Sequence, residues 1–236
     1  MREMRSHLPP LPPSATLSRR GLWIYCAFIL LMMAVSAWQP YEVSTWVMEV
    51  LPVAVVLPLL LCTQHRFPLT PLLYGLILLH AAVLILGGHY TYARVPLGTW
   101  MQDLFGFSRN HYDRIGHLMQ GIVPAIAARE ILLRRTPLAH PTMRGGWLFL
   151  IVTSVCLAVS ALYELIEWWA AAALGAGADD FLGTQGDPFD TQKDMFCAWL
   201  GAMGAQLLLG RWHNRQMASL AAAQRLPATP VLKTPG

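Results

Sequence analysis

Apolar residues fall in six long runs, at about 21–38, 46–62, 69–88, 114–133, 147–170 and 189–210, and most of the charge collects between them. Each run is close to the ~20 residues a helix needs to cross the hydrocarbon core of a bilayer. Lipid offers the backbone no water, so helices that close their own hydrogen bonds are the expected elements. The predicted fold is an all-α integral membrane protein with about six transmembrane helices. Pro52 and Pro58 predict a kink in the second span. Residues 1–18, with Pro9, Pro10, Pro12 and Pro13, read as a disordered polyproline-like tail. Residues 19–214 form one transmembrane domain. The Ala-, Pro- and Thr-rich stretch 215–236 reads as a frayed helix end followed by a tail.

The third connection, 89–112, is too long for a simple turn. Inside it Leu97, Trp100, Met101, Leu104 and Phe105 recur at helical spacing, with Pro96 before them and Gly106 after. Those are ordinary start and stop signals, and they predict a short amphipathic helix lying in the membrane interface. A loop carrying a hydrophobic plug is the alternative. Either would roof the region where spans four to six open.

Composition supports the membrane assignment. The 236 residues are 55% hydrophobic and only 13% charged, against roughly 25% charged in an ordinary soluble domain. The net charge of +4 comes from the flanks, and no basic stripe with interleaved aromatics points to nucleic acid. Arg2, Arg5, Arg19 and Arg20 precede the first span; Arg66, then Arg134, Arg135 and Arg144, occupy the second and fourth connections; Arg211, Arg215, Arg225 and Lys233 follow the sixth. The other connections hold only Arg94, Arg109 and Arg114, with Lys193 just inside span six. By the positive-inside rule both termini are cytoplasmic. The acids agree: all but Glu3 and Glu130 lie on the opposite side. Ser18-Arg19-Arg20 resembles a twin-arginine signal with Val35-Ser36-Ala37 as a cleavage site, but the run is long and five spans follow, favouring an uncleaved helix. Cys26, Cys62, Cys156 and Cys197 form no C-x-x-C pair and read as small packing residues.

The candidate chemistry sits at one end of spans four to six. Asn110 and Asp113 fit a capping-box arrangement. Asp113 and His117, at i and i+4, are also close enough to share a proton or an ion. Span five ends with Glu164 and Glu167 on a face shared with Ser160 and Ala171. Two carboxylates at a helix C-terminus oppose its dipole and repel each other, so something positive must compensate. Candidates are a metal, Arg94 or Arg114, a protonated His117, or a shared proton. Asp187-Pro188 reads as the start of span six, and Asp187 and Asp190 suit that helix's N-terminus. Asp194 lies a turn deeper, on a stripe of small residues, Ala198, Gly201 and Ala205, that permits close helix contact. Asp179 and Asp180 read as a solvated acidic loop rather than a calcium site.

If these spans are neighbours, Asp113, His117, Glu164, Glu167 and Asp194 converge as a catalytic set. His117, Glu164, Glu167, Asp190 and Asp194 are the metal-ligand set for Zn, Mn or Mg. Metal-free acid/base work is the alternative. His89, Tyr92, Arg94, His111 and Arg114 are candidate substrate contacts; for His89, Tyr90, Tyr92 and Arg94 the alternative is an interfacial aromatic belt with polar tips. His80, mid-span, reaches the site only if it faces inward.

The blocks HYTYARVPLG, FGFSRNHYDRIGHLMQG, LYELIEWW and DDFLGTQGDPFDTQKDM resemble the YjdF-type family of bacterial inner-membrane proteins, over most of 21–210. That resemblance implies a multi-pass inner-membrane protein and supplies no reaction. A looser likeness ties the chain to the VanZ-like group, although Glu164 and Glu167 stand where that group has Glu then Gln. The reading that fits best is an enzyme with its polar site at the outer leaflet, acting on a lipid or lipid-linked molecule, with Arg94 or Arg114 meeting an anionic head group. The alternatives are a small cation- or proton-coupled transporter and a non-catalytic accessory protein whose charges staple helices.

Overall fold

The structure, a computed structural model, describes residues 16–139, 146–174 and 185–225. The Pro-rich tail up to residue 15, Asp179 and Asp180, and the last residues from 226 lie outside them. The described chain is helical, with no strand: α1 (Arg19–Ser36), α2 (Val43–Thr63), α3 (Pro71–Tyr90), a 3-10 turn (Tyr92–Arg94), α4 (Pro96–Phe105), α5 (Tyr112–Arg135), a second 3-10 turn (Pro137–Ala139), α6 (Gly146–Leu174), α7 (Asp190–Gly204), a π turn (Ala205–Leu209) and α8 (Gly210–Arg225). Of these, α1, α2, α3 and α6 are long and apolar enough to cross a membrane. Helix α5 has 24 residues but spends part of its surface on polar groups, as does α7.

Local chemistry sets the helix ends. The Ser18 hydroxyl accepts the Gly21 N–H at 3.0 Å to start α1, and Thr70, before Pro71, caps α3. Gly106, at φ 66°, closes α4 in the left-handed conformation that glycine adopts without a Cβ penalty. Helix α4 thus spans the predicted residues. Its apolar side is open, with Trp100, Leu104 and Phe105 exposed, as an interfacial helix requires. Helix α7 begins at Asp190, not at Asp187. The Asp187 carboxylate instead accepts the Phe189 N–H at 3.1 Å, a turn that delays the helix. The chain then stays helical through the π turn to Arg225, with His213, Gln216 and Leu220 buried, so α8 passes beyond residue 214.

Helix α5 is the hub: it packs on α3, α6 and, most closely, α7. A Cβ added at Gly121 would lie 1.9 Å from the Ala198 carbonyl oxygen, and one at Gly201 2.3 Å from that of Leu118. Only glycine permits this approach, which brings acids on the two helices together. One apolar core, around Leu73, Ile126, Val152 and Ala202, joins α3, α5, α6 and α7. Another, around Leu22, Ile29, Val53, Leu57 and Tyr74, joins α1, α2 and α3. Large apolar side chains such as Phe28, Leu31, Val55, Leu150 and Leu162 stand exposed around the bundle, an arrangement suited to lipid and not to water. All four cysteines are free, with Cys26 and Cys156 buried among packed side chains.

Candidate functional site

Call upper the end of the bundle at which α2, α5 and α7 begin. There Asn110 anchors the entry of α5: its amide oxygen accepts the Tyr112 N–H at 3.0 Å and its amide nitrogen donates to the Val95 carbonyl at 3.1 Å. Gly98 makes room, since a Cβ there would fall 1.7 Å from that amide oxygen. The predicted capping box does not form. Asn110 divides its amide between the start of α5 and that of α4, and Asp113 is left for the cluster.

Asp113, His117, Glu164, Asp190 and Asp194 are all buried at this end. His117 Nε2 lies 3.3 Å from Asp113 Oδ1 and 3.6 Å from Asp194 Oδ1. Its Nδ1 lies 3.1 Å from Gln120 Oε1 and 3.6 Å from Glu164 Oε1. Donor atoms of Asp113, His117 and Asp194 fall within 4.8 Å of one another, a spacing able to hold one metal ion. Arg114 donates to Asp194 and, at 2.5 Å, to Asp190; Arg109 donates to Asp190 at 2.7 Å. Asp190, singled out as a ligand, is thus engaged by two guanidinium groups. Asp113 stands nearer the imidazole.

Charge in this cluster is unbalanced. The carboxylates of Glu49, Asp113, Glu164, Glu167, Asp187, Asp190 and Asp194 outnumber the permanent cations Arg109, Arg114 and Lys193. Glu164 Oε1 is buried with no hydrogen bond, and Glu167 makes no hydrogen bond or ion pair with the described residues. At the outer edge Lys193 reaches Asp187 at 2.5 Å. That bond and the Phe189 N–H hold the Asp187 carboxyl below its ordinary pKa. His111 is pushed the other way from a cation, below the usual histidine value, by burial and then by Arg109 and Arg114.

Beside the cluster a cavity of about 730 Å³ runs between α2, α3, α5 and α6. Glu49, Tyr92, Asp113, His117, Tyr163 and Glu167 line its upper end. His80 and Gln120 face its middle, and Thr63, Phe67 and Arg135 its lower end. Glu49 is buried and accepts the Tyr92 hydroxyl at 2.8 Å. Sequence reasoning passed over this acid, although its position inside an otherwise apolar span was a signal.

The candidate substrate contacts scatter. Tyr92 is in the cavity and Arg114 in the carboxylate cluster. His89 Nδ1 lies 2.8 Å from the Ser36 carbonyl, Arg94 sits 4.1 Å above the Tyr41 ring, and His111 meets the Phe107 ring edge-on.

A second buried cluster, at the lower end, went unread. Glu130, wholly buried, accepts from the Thr70 N–H and hydroxyl, from Arg134 at 2.7 Å, and lies 3.1 Å from His213 Nε2. Gln216 on α8 accepts the Leu72 N–H at 2.8 Å. Together they tie the lower ends of α3, α5 and α8.

Residues 21–215 match the family described as "Predicted membrane protein (DUF2238)", and the chain belongs to it. It is 55% identical to the inner membrane protein YjdF of Escherichia coli (strain K12) over 189 residues, 80% of this chain and 87% of that protein. No solved structure matches.

Proposed function

We propose, from membership of this inner-membrane family and from the upper cluster, that the protein is a six-span membrane enzyme acting at the outer leaflet on a lipid or lipid-linked substrate. Both termini are cytoplasmic in this reading. The arginines of the flanks and of the second and fourth connections then lie inside, and the upper cluster faces outward. Spans five and six of the bundle are α6 and the continuous α7–α8 rod; α5 crosses between α3 and α6 with its polar stripe turned inward.

One observation carries the chemistry: three buried donors, from Asp113, His117 and Asp194, converge within 4.8 Å amid a surplus of carboxylate. A surplus of buried negative charge is unfavourable unless a cation or protons offset it. The geometry supports Asp113, His117 and Asp194 as ligands of a Zn, Mn or Mg ion, with Glu164 beside them and Asp190 held back by the arginines. A divalent ion there supplies a Lewis acid or an activated water. Glu164 and Glu167, both lacking hydrogen bonds at an oxygen facing the site, are the groups placed to take or return the proton. Arg114, already held by Asp190 and Asp194, serves the cluster rather than an anionic head group.

A transporter is the second reading, favoured by the cavity's continuation past His80 and Gln120 to Arg135. Elemental analysis of detergent-purified protein tests the first. The enzyme reading expects a stoichiometric divalent metal in the wild type, lost in His117→Ala and kept in Glu130→Gln. Equal trace metal in folded samples of all three contradicts metal chemistry. A cation flux into liposomes, abolished by Glu167→Gln, would transfer the site to transport.

A further inference from the structure

Among the described residues the cavity lacks one wall. Helix α2 packs on α3, α3 on α5 and α5 on α6, but α2 and α6 do not pack extensively on each other to close the ring. Leu59 on α2, Val159 on α6 and Ile131 on α5 line the cavity and stay exposed at 54%, 40% and 51%, as residues at an open mouth do. At that depth the outside is hydrocarbon, so the gap opens into the bilayer.

Below the upper end the walls are mostly aliphatic, among them Val53, Val56, Leu57, Ile77 and Ala81, with His80 and Gln120 the polar groups at mid-depth and Thr63 and Arg135 at the lower end. Each ordered water needs about two to four polar partners, which such walls give at few points. The volume of about 730 Å³ falls within the ~300–1,000 Å³ of ordinary ligand sites. A hydrocarbon chain therefore fills it better than water or a hydrated ion. The upper end is different in kind. Glu49 and Glu167, neither of them in the metal set, present acceptors there beside Asp113 and His117, while Arg109, Arg114 and Lys193 face the Asp187–Asp190–Asp194 side and do not line the cavity. A carboxylate or phosphate at this seat would meet like charge. A donor head, an ammonium or a hydroxyl, meets complementary oxygens.

We infer that the cavity admits, sideways through the gap between α2 and α6, one alkyl or isoprenyl chain of an amphiphile whose seated head group is an amine or an alcohol. This names the substrate class of the site proposed above and rests on that reading only for the chemistry that follows binding.

The test is photo-crosslinking of the full chain in detergent with hexadecyl probes carrying a mid-chain diazirine and ending in an amine, an alcohol or a carboxylate. The amine or the alcohol should label α2 and α6 at least about tenfold more than the carboxylate at neutral pH. Val56→Trp, which fills the cavity, and Val159→Trp, at its rim, should each abolish that labelling, while Val55→Trp on the lipid face keeps it. Glu167→Gln separates the heads: it should weaken the amine and spare the alcohol if the seat binds an ammonium, and weaken neither more than the other if it binds a hydroxyl. Equal labelling by the carboxylate, or labelling unchanged by both cavity variants, overturns the inference. Because Val56→Trp leaves the donors of the metal set in place, its metal content should stay at the wild-type level, so failure of the chain site and failure of the metal site are read separately.

Discussion

The two buried carboxylate–imidazole clusters at opposite ends of α5 are built from the same residue types and do opposite things. At the lower end, one acid, Glu130, is surrounded by Thr70, Arg134 and His213, and both its oxygens are occupied. At the upper end, His117 is shared among Asp113, Glu164 and Asp194, and Glu164 Oε1 has no hydrogen bond. The lower cluster abuts packed apolar side chains such as Leu72, Leu73 and Leu133; the upper one opens on a cavity. A satisfied buried charge stabilises a fold. In the proposed reading, an oversupplied one is offset by a cation or by protons.

The largest effect separating them is expected at Glu130. Glu130→Gln removes the charge facing Arg134 and His213 and turns one acceptor oxygen into a donor, and removing one partner of a buried pair costs about 3–5 kcal/mol; the detergent-solubilised variant should melt well below wild type. Tyr92→Phe removes a hydrogen bond to the buried Glu49 and should cost about 1.5–3 kcal/mol, measured by denaturant unfolding, without loss of the metal. Gly201→Ala forces α5 and α7 apart by setting a methyl group against the Leu118 carbonyl. It should cost about 1–3 kcal/mol and, unlike Tyr92→Phe, should lower metal content by separating Asp113 and His117 from Asp194. The smallest effect is at the rim. Lys193→Ala should lower the melting midpoint at neutral pH only slightly and let the Asp187 pKa rise toward the usual carboxylate value. Because the folded pKa is depressed, that pair's contribution is present above the ordinary carboxylate pKa and fades as pH falls through the folded one; a pH series of melts in both proteins reads it.

Much of this was legible because lipid restricts what a chain can do. The bundle followed from apolar run length, α4 from Pro96, its helical spacing and Gly106, and the α5–α7 contact from Ala198 and Gly201. Glu164 and Asp194 stood out because each lies where its helix offers no stabilising reason for an acid. What stayed hidden depends on tertiary pairing. Glu49 joins the site only because Tyr92, more than forty residues on, donates to it. Asn110 reads as a cap until Gly98 lets α4 close on it. Glu130 and His213 meet because α8 continues past the last apolar run, held by Gln216 and Leu220 rather than by hydropathy. Helix starts were misplaced where Asp187 could satisfy either a cap or a turn.

The contrast between the clusters is most directly tested by melting Glu164→Gln beside Glu130→Gln, stripped of metal and then with added Zn, Mn or Mg. The upper cluster as described predicts that Glu164→Gln is as stable as metal-free wild type or more so, since it relieves repulsion, and that it keeps part of the stabilisation metal gives the wild type, having lost a neighbouring carboxylate but none of the Asp113, His117 and Asp194 ligands. Glu130→Gln should be destabilised in both conditions and keep the metal response. A fall in Glu164→Gln as large as that of Glu130→Gln, with no metal response in any of the proteins, would make the upper cluster a second staple.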